Sequence, residues 1–400
     1  MSGIFDGLRV IDCSSFIAAP GAATVLSDFG ADVIKIEPPG AGDPGRNLAR
    51  LPGTPKGDHN YSWLLDNRNK RSLALDLAKP EGQAVLHRLA QRADVFVTNY
   101  PLAVRNKLAL GYEQLAALNQ RLIYASFTGY GEVGDEAAKP GFDMTAWWAR
   151  SGLMDSVRVD AETAPARAIT GMGDHPSAMS LYAAIVTGLY QRERSGRGMQ
   201  VGSSLMANGL WSNGFMVQAA LCGATFFPRP PRERPFNALT SYYRCRDGRW
   251  LILTILNEER QWPVFARCLG LDSLVEDPRF AKQADRFERA AELSAAVDAA
   301  FATRDRSEWR RILTEAGIVF EIVASAEDVA SDPQAIANGF LRSFDGDTML
   351  TVDSPIQVAG ASKVEPRKAP DIGQHSDEIL REAGYDAAAI TQLRASKVVA

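Results

Sequence analysis

Apolar residues recur along the first part of the chain in two rhythms. Residues 8–12 (LRVID), 31–37 (ADVIKIE), 71–77 (RSLALDL), 94–99 (DVFVTN) and 121–129 (RLIYASFTG) are short runs of β-branched, aliphatic and aromatic side chains, which predicts strands. Between them, 21–30 (GAATVLSDFG) and 80–93 (PEGQAVLHRLAQRA) have helical composition. The first ends on a glycine stop, and the second has proline in its first turn. Strand and helix in alternation predict an α/β fold with a mostly parallel sheet covered by helices. Residues 171–198 (GMGDHPSAMSLYAAIVTGLYQRERSGRG) predict one long helix that opens near Asp174 and closes on basic residues and glycines.

The pattern breaks at 223–236 (GATFFPRPPRERPF), where four prolines and four charges predict a stiff, extended linker. Beyond it, 241–256 (SYYRCRDGRWLILTIL) reads as a hairpin turning at Asp247 and Gly248, followed by helices near 259–269 and 284–303. At 400 residues the chain exceeds one ordinary core. The expected organisation is a large domain formed by 1–222 and the returning segment 326–400, with a small α+β domain over about 226–325. A final helix is expected near 376–383.

Charge narrows the function classes. With 44 basic and 48 acidic side chains the net charge is −4, which argues against nucleic acid or an anionic membrane surface as a partner. No apolar run is long enough to span a bilayer, and the first residues lack a basic stretch followed by an apolar one, so a cytoplasmic location is expected. Cys13, Cys222, Cys245 and Cys268, and His59, His87, His175 and His375, are dispersed without metal-ligand spacing, so no metal is expected.

Several sequence features carry candidate chemistry. A βαβ opening suggests a dinucleotide site, with Glu37 where a ribose-binding acid would sit. However, the loop after the first strand (CSSFIAAPGAA) lacks the glycines that a pyrophosphate requires. Arg68, Lys70 and Arg71 could hold phosphates or belong to a solvated loop, and Asn99, Arg105 and Lys107 follow a strand end, where α/β sheets bind ligands. Asp174 has two readings. It is either a helix cap, or a carboxylate preorganised by a helix start to act as a nucleophile on an activated acyl group, with Gly173 beside it leaving room for substrate. Met144, Trp147 and Trp148 could wall an acyl pocket or fill the core. Lys35 suggests a side chain snorkelling at a sheet edge.

Taken in order, GLRVID, LSDFGADVIKIEPPGAGD, NRNKRSLALDL, ADVFVTN, GDHPSAM, GLYQRERSGRGMQV, DGRWL and GQHSDEIL resemble the class III CoA transferases, the family of formyl-CoA transferase, carnitine CoA transferase and α-methylacyl-CoA racemase. The resemblance covers nearly the whole chain. It implies a Rossmann-like large domain, an interlocked homodimer, and coenzyme A as a substrate with no separate cofactor. It also implies transfer of CoA from an acyl-CoA thioester to a free carboxylic acid, through an aspartyl anhydride and an aspartyl-CoA thioester on Asp174. Backbone N–H groups at the helix start would stabilise the oxyanion.

The same resemblance places Phe16, Ile17 and Ala18 on the loop that passes CoA and the acyl end. Ile17 replaces the glutamine of formyl-CoA transferase, which points to a less polar acyl group. Leu75, Asn99, Tyr100, Lys107 and Leu108 fall on nucleotide-lining positions, and Lys139 lies in the matching loop. Pro38 stands where some members have a nucleotide-binding arginine, so Arg46, Arg71 or Arg105 is expected to supply that charge. No counterpart of the glycine-rich flap exists between Asn237 and Arg249. Phe142, Gly173 and His175 are expected around the substrate. Phe142 occupies the position of the racemase histidine, and Asn257, with Glu258 next to it, that of a supporting glutamate. The nearest alternative activity is therefore α-methylacyl-CoA epimerisation, and an alternative of another class is a CoA-binding protein without turnover.

Overall fold

The structure, a computed structural model, describes residues 3–400. The chain divides into two compact units. The first comprises residues up to Ser156, Arg167–Gly223 and Gln334–Ala400, and the second comprises Val157–Ala166 and Ala224–Pro333. Residues 157–166, expected in the large domain, fall in the second unit. There the Ala161 N–H donates to the Arg229 carbonyl and the Arg229 guanidinium to the Arg158 carbonyl.

The first unit opens with β1 (Arg9–Asp12), α1 (Ala18–Asp28), β2 (Asp32–Glu37), α2 (Tyr61–Asn67), β3 (Arg71–Ala74), α3 (Pro80–Ala90) and β4 (Val95–Thr98). It continues with α4 (Leu102–Lys107), α5 (Tyr112–Leu118), β5 (Ile123–Thr128), a π-helical segment at Asp143–Ala149, and α6 (Leu153–Ser156). The long α7 (Asp174–Ser195) leads to β6 (Met199–Ser204), α8 (Leu205–Ser212) and α9 (Gly214–Leu221). The six strands form one parallel sheet in the order β3-β2-β1-β4-β5-β6, the α/β architecture that the alternation predicts.

Both faces of the sheet are apolar because both are covered. Val10, Val33, Val95, Val97 and Ile123 pack under α1 and α7. The alternate residues Ile11, Ile34, Phe96 and Tyr124 pack on the other face with α3 and the helices Ser376–Glu382 and Ala387–Ala395. Helix α7 stops at Gly196, whose φ of 73° is the left-handed conformation that closes a helix. The second unit holds an antiparallel sheet, β7 (Tyr242–Arg244), β8 (Trp250–Leu253) and β9 (Phe320–Ile322), over a core that includes Tyr243, Phe265, Phe301 and Trp309. Residues 224–237 before it form no helix or strand.

Candidate active site

In this strand order the connections run in opposite directions from β1 and β4, and a crevice opens off their carboxyl ends. The β1–α1 loop at that crevice is held at three successive residues. Lys35 donates to the Ser14 carbonyl. Asn99 spans the crevice, accepting from the Ser15 N–H at 2.8 Å and donating to the Ser15 carbonyl at 2.7 Å. Asp43 accepts from the Phe16 N–H at 3.1 Å. These bonds hold Phe16 at φ 69°, a conformation uncommon for a side chain with a Cβ. Lys35 lies fully buried between Asp43 (2.7 Å) and Asp12 (3.6 Å), not at a sheet edge, because β2 is an interior strand.

Asp174 is the first residue of α7. The cap position belongs to Gly173, and no side chain caps the helix. The carboxyl of Asp174 instead interacts with that of Asp143, the first residue of the π-helical segment. Burial and the charges of Asp143 and Asp66 push Asp174 up to about 7, against the opposing pull of His175. Asp143 is itself positioned by backbone, accepting from the Met144 N–H at 2.7 Å and the Gly171 N–H at 2.9 Å. His175 Nε2 lies 3.0 Å from Asp66 Oδ1, with 46% of its side chain exposed. Burial works against the charged imidazole, but the hydrogen bond and charge of Asp66, reinforced by Asp174, outweigh it and hold His175 above its ordinary value.

Other expected site residues divide between those at this corner and those elsewhere. Phe16 meets Phe142 edge to face at 5.4 Å, and Phe142 is 55% exposed. Ile17 caps α1 and Ala18 begins it, both buried. Gly173 does not leave open space. A Cβ there would lie 2.6 Å from the Trp147 indole, so the missing side chain makes room for a core ring and not for substrate. Trp147 and Trp148 stack at 5.6 Å inside the main core, with Met144 packed against it. The helix-start N–H groups are partly spent: those of His175 and Ser177 donate to the Gly171 and Gly173 carbonyls, and Pro176 has none.

The basic cluster at 68–71 turns inward. Arg68 forks onto Asp28 at 2.8 and 2.6 Å, and Lys70 pairs with Asp12 at 2.8 Å. Arg71 begins β3, at the amino edge of the sheet, where Asp32, Glu378 and Glu382 occupy its guanidinium. This removes Arg71 from the crevice. Arg46 is bound to Glu37 and stacked on Trp63, and Arg105 is buried against Glu132 and the Tyr100 carbonyl. Lys107 is exposed at the end of α4. Lys139 is half-exposed, paired with Glu136. Leu75 is core, and Tyr100 and Leu108 pack against the same cluster. In the second unit Glu258 is buried and committed to Arg286 and Asn237.

Among the described residues no group of histidine, cysteine, aspartate or glutamate is arranged to hold a metal ion, and no helix is long and apolar enough to cross a membrane. Asp143 and Asp66 were not singled out from the sequence, although Asp143 directly follows Phe142.

Residues 5–376 match CoA-transferase family III. Over 99% of both chains, this protein is 34% identical to the (R)-2-hydroxy-4-methylpentanoate CoA-transferase of Clostridioides difficile. It is 33% identical to the cinnamoyl-CoA:phenyllactate CoA-transferase of Clostridium sporogenes, over 99% of this chain and 97% of that one. A CAIB/BAIF family protein from Brucella suis superposes with a TM-score of 0.86 at 27% identity, over 96% of this chain and all of that one. With this coverage, and with the same α/β architecture, the chain belongs to CoA-transferase family III, the class III CoA transferases.

Proposed function

We propose that this enzyme moves CoA from an acyl-CoA thioester to a free carboxylic acid with Asp174 as the nucleophile. The observation that carries the reading is a carboxyl at a helix start whose neighbours are Asp143, Asp66 and His175, held near neutrality and not locked in an ion pair of its own. Once ionised, one Asp174 oxygen attacks the thioester carbonyl. The C–S bond breaks, and CoA leaves as the thiolate, which needs little proton help. The thiolate then attacks the aspartyl carbonyl of the mixed anhydride and expels the donor carboxylate, leaving CoA on Asp174. The acceptor carboxylate attacks this thioester and forms a second anhydride. The returning thiolate takes the acyl group and regenerates Asp174.

Positioning is assigned to Asp143, through its two backbone N–H bonds, and to Asp66, through His175. Phe16, Ile17 and Asn99 line the route of CoA past the β1–α1 loop. Lys107 and Lys139 are the cations assigned to its phosphates: both are exposed, Lys139 held by a surface pair with Glu136, whereas Arg46, Arg71 and Arg105 are largely buried against their carboxylate partners. Epimerisation is disfavoured because it needs a base on each face of the α-carbon. Phe142 cannot accept a proton, and Glu258 is held by Arg286. Four free cysteines suit a reducing, cytoplasmic setting.

Trp211 (87% exposed), Phe215 (89%) and Leu221 of α8 and α9 are large apolar side chains that the single chain leaves in water, which supports assignment to an interlocked homodimer. Sedimentation should return a dimer that persists on dilution. The function is tested by mass spectrometry of acyl-CoA, a deuterated acceptor acid and the enzyme. The expected result is CoA on the deuterated acid, with no solvent deuterium at the α-carbon of a branched acyl-CoA. Rapid α-exchange without acceptor would make this an epimerase, and CoA binding with neither reaction would make it a binding protein.

A further inference from the structure

Beside Asp174, within the first unit, lies a cavity of about 410 Å³ walled by α1, the end of α2, the first turn of α7 and residues 352–355. His175 and Asp66 stand at the end of this space nearest the nucleophile: His175 follows Asp174 in the chain, and the charge of Asp66 acts on it. Most of the lining is apolar, including Val25, Leu65 and Met179. Thr24, Asp66, Arg68, His175, Asp353 and Ser354 supply its polar part. Ser354 is only 7% exposed, and its Oγ has no hydrogen-bond partner. Asp353 gives Oδ2 to Lys363 at 2.7 Å, but Oδ1 has no hydrogen bond, the Arg342 guanidinium being 3.9 Å away. Buried polar atoms without partners are rare in a folded chain. Both atoms lie behind the accessible surface, so the face that residues 352–355 offer the cavity is that of Val352, Pro355 and the carbon atoms around them.

We infer that this cavity receives the apolar tail of the carboxylic acid that reacts at Asp174, an inference that rests on the CoA-transfer reading above. At the ~30 Å³ that a water-sized group occupies in a liquid, the space holds about a dozen non-hydrogen atoms. Ligand pockets are mostly filled by what they bind, so the tail is branched or aromatic, with about five to ten non-hydrogen atoms. Short dicarboxylates would leave Val25, Leu65 and Met179 facing water.

The test uses the intact wild-type protein crystallised with para-bromophenylpropanoate, whose bromine is located by anomalous scattering. The expected position is inside the cavity, against Met179 and Val25. A bromine elsewhere, or none bound, overturns the inference. Calorimetry provides a second measure. Isocaproate and phenylpropanoate should bind at least about tenfold more tightly than acetate or succinate, and Met179→Trp, which fills the space, should cut that preference about tenfold. An equal preference in wild type contradicts the proposal. The two readings fail separately. Bromine in the cavity, with no acyl or CoA adduct on Asp174 after a separate incubation with para-bromophenylpropanoyl-CoA, removes the catalytic reading and keeps the pocket, whereas an adduct in that incubation with the bromine elsewhere in the crystal does the reverse.

Discussion

Asp12, fully buried, and Asp174, half-buried at the start of α7, are two aspartates of the first unit whose surroundings drive them in opposite directions. Burial pushes each towards the neutral acid. At Asp12 the ammonium groups of Lys35 and Lys70 overcome that push and hold the carboxyl below its usual range. At Asp174 the nearest carboxyls, Asp143 and Asp66, add to it, and the group rises to about 7. The first arrangement is a saturated ion network that anchors the β1–α1 loop. The second is a carboxylate with stored basicity and no cation of its own except the half-exposed imidazole of His175. Neighbour charge, and not burial, separates the scaffold acid from the candidate nucleophile.

Breaking each side of this contrast should give different failures. Asp174→Asn should lower turnover by about four orders of magnitude, as losing a nucleophile does, while CoA binding measured by calorimetry persists. Asp12→Asn should act on the scaffold. It leaves two buried lysines without their shared partner and should cost about 3–5 kcal/mol in the denaturation midpoint. Asp143→Asn sharpens the comparison. Wild-type kcat/KM should fall with acid as Asp174 takes its proton near pH 7, and this variant should move that limb down by about one pH unit. An unmoved limb would mean that Asp143 does not set the basicity of Asp174.

The same raised value predicts a stability effect. A carboxyl whose folded value lies above its unfolded one contributes stability that is full below about pH 4 and lost as pH rises through about 7. Asp174→Asn should therefore match wild type near pH 4 and exceed it by a few kcal/mol at pH 8, at about 1.4 kcal/mol per unit by which the folded value is raised, read by urea denaturation. The smallest effect is expected at Arg71. Its partners Glu378 and Glu382 are mostly exposed, and it sits on the far edge of the sheet, so Arg71→Ala should change the KM for CoA by less than about twofold.

What could be read from the residue pattern follows from how local each feature is. The strands were legible because both faces of the sheet are covered, which leaves runs such as VFVT buried throughout and apolar at all but the last residue. Helix α7 was legible from its ends. Asp174 was marked by its helix start and by the resemblance of GDHPSAM, but the pattern did not show that Gly173 already holds the cap or that Trp147 fills the space over it. A glycine in a sequence shows where a side chain is absent, not what takes its place. The basic run at 68–71 failed as a phosphate site for a related reason: its partners Asp12, Asp28 and Asp32 lie far away along the chain and meet it only after the sheet has formed. Asp143 and Asp66 escaped notice because each reaches Asp174 through tertiary packing alone.

The central claim, that Asp174 carries the transferred groups, is tested most directly on the wild-type protein incubated with acyl-CoA and quenched with hydroxylamine above pH 7, where the carboxylate is ionised. Peptide mass spectrometry should find the aspartyl hydroxamate on Asp174, dependent on acyl-CoA and absent below about pH 5. Transfer of CoA to an acceptor acid with Asp174 unmodified, or with the hydroxamate on another residue, would contradict it.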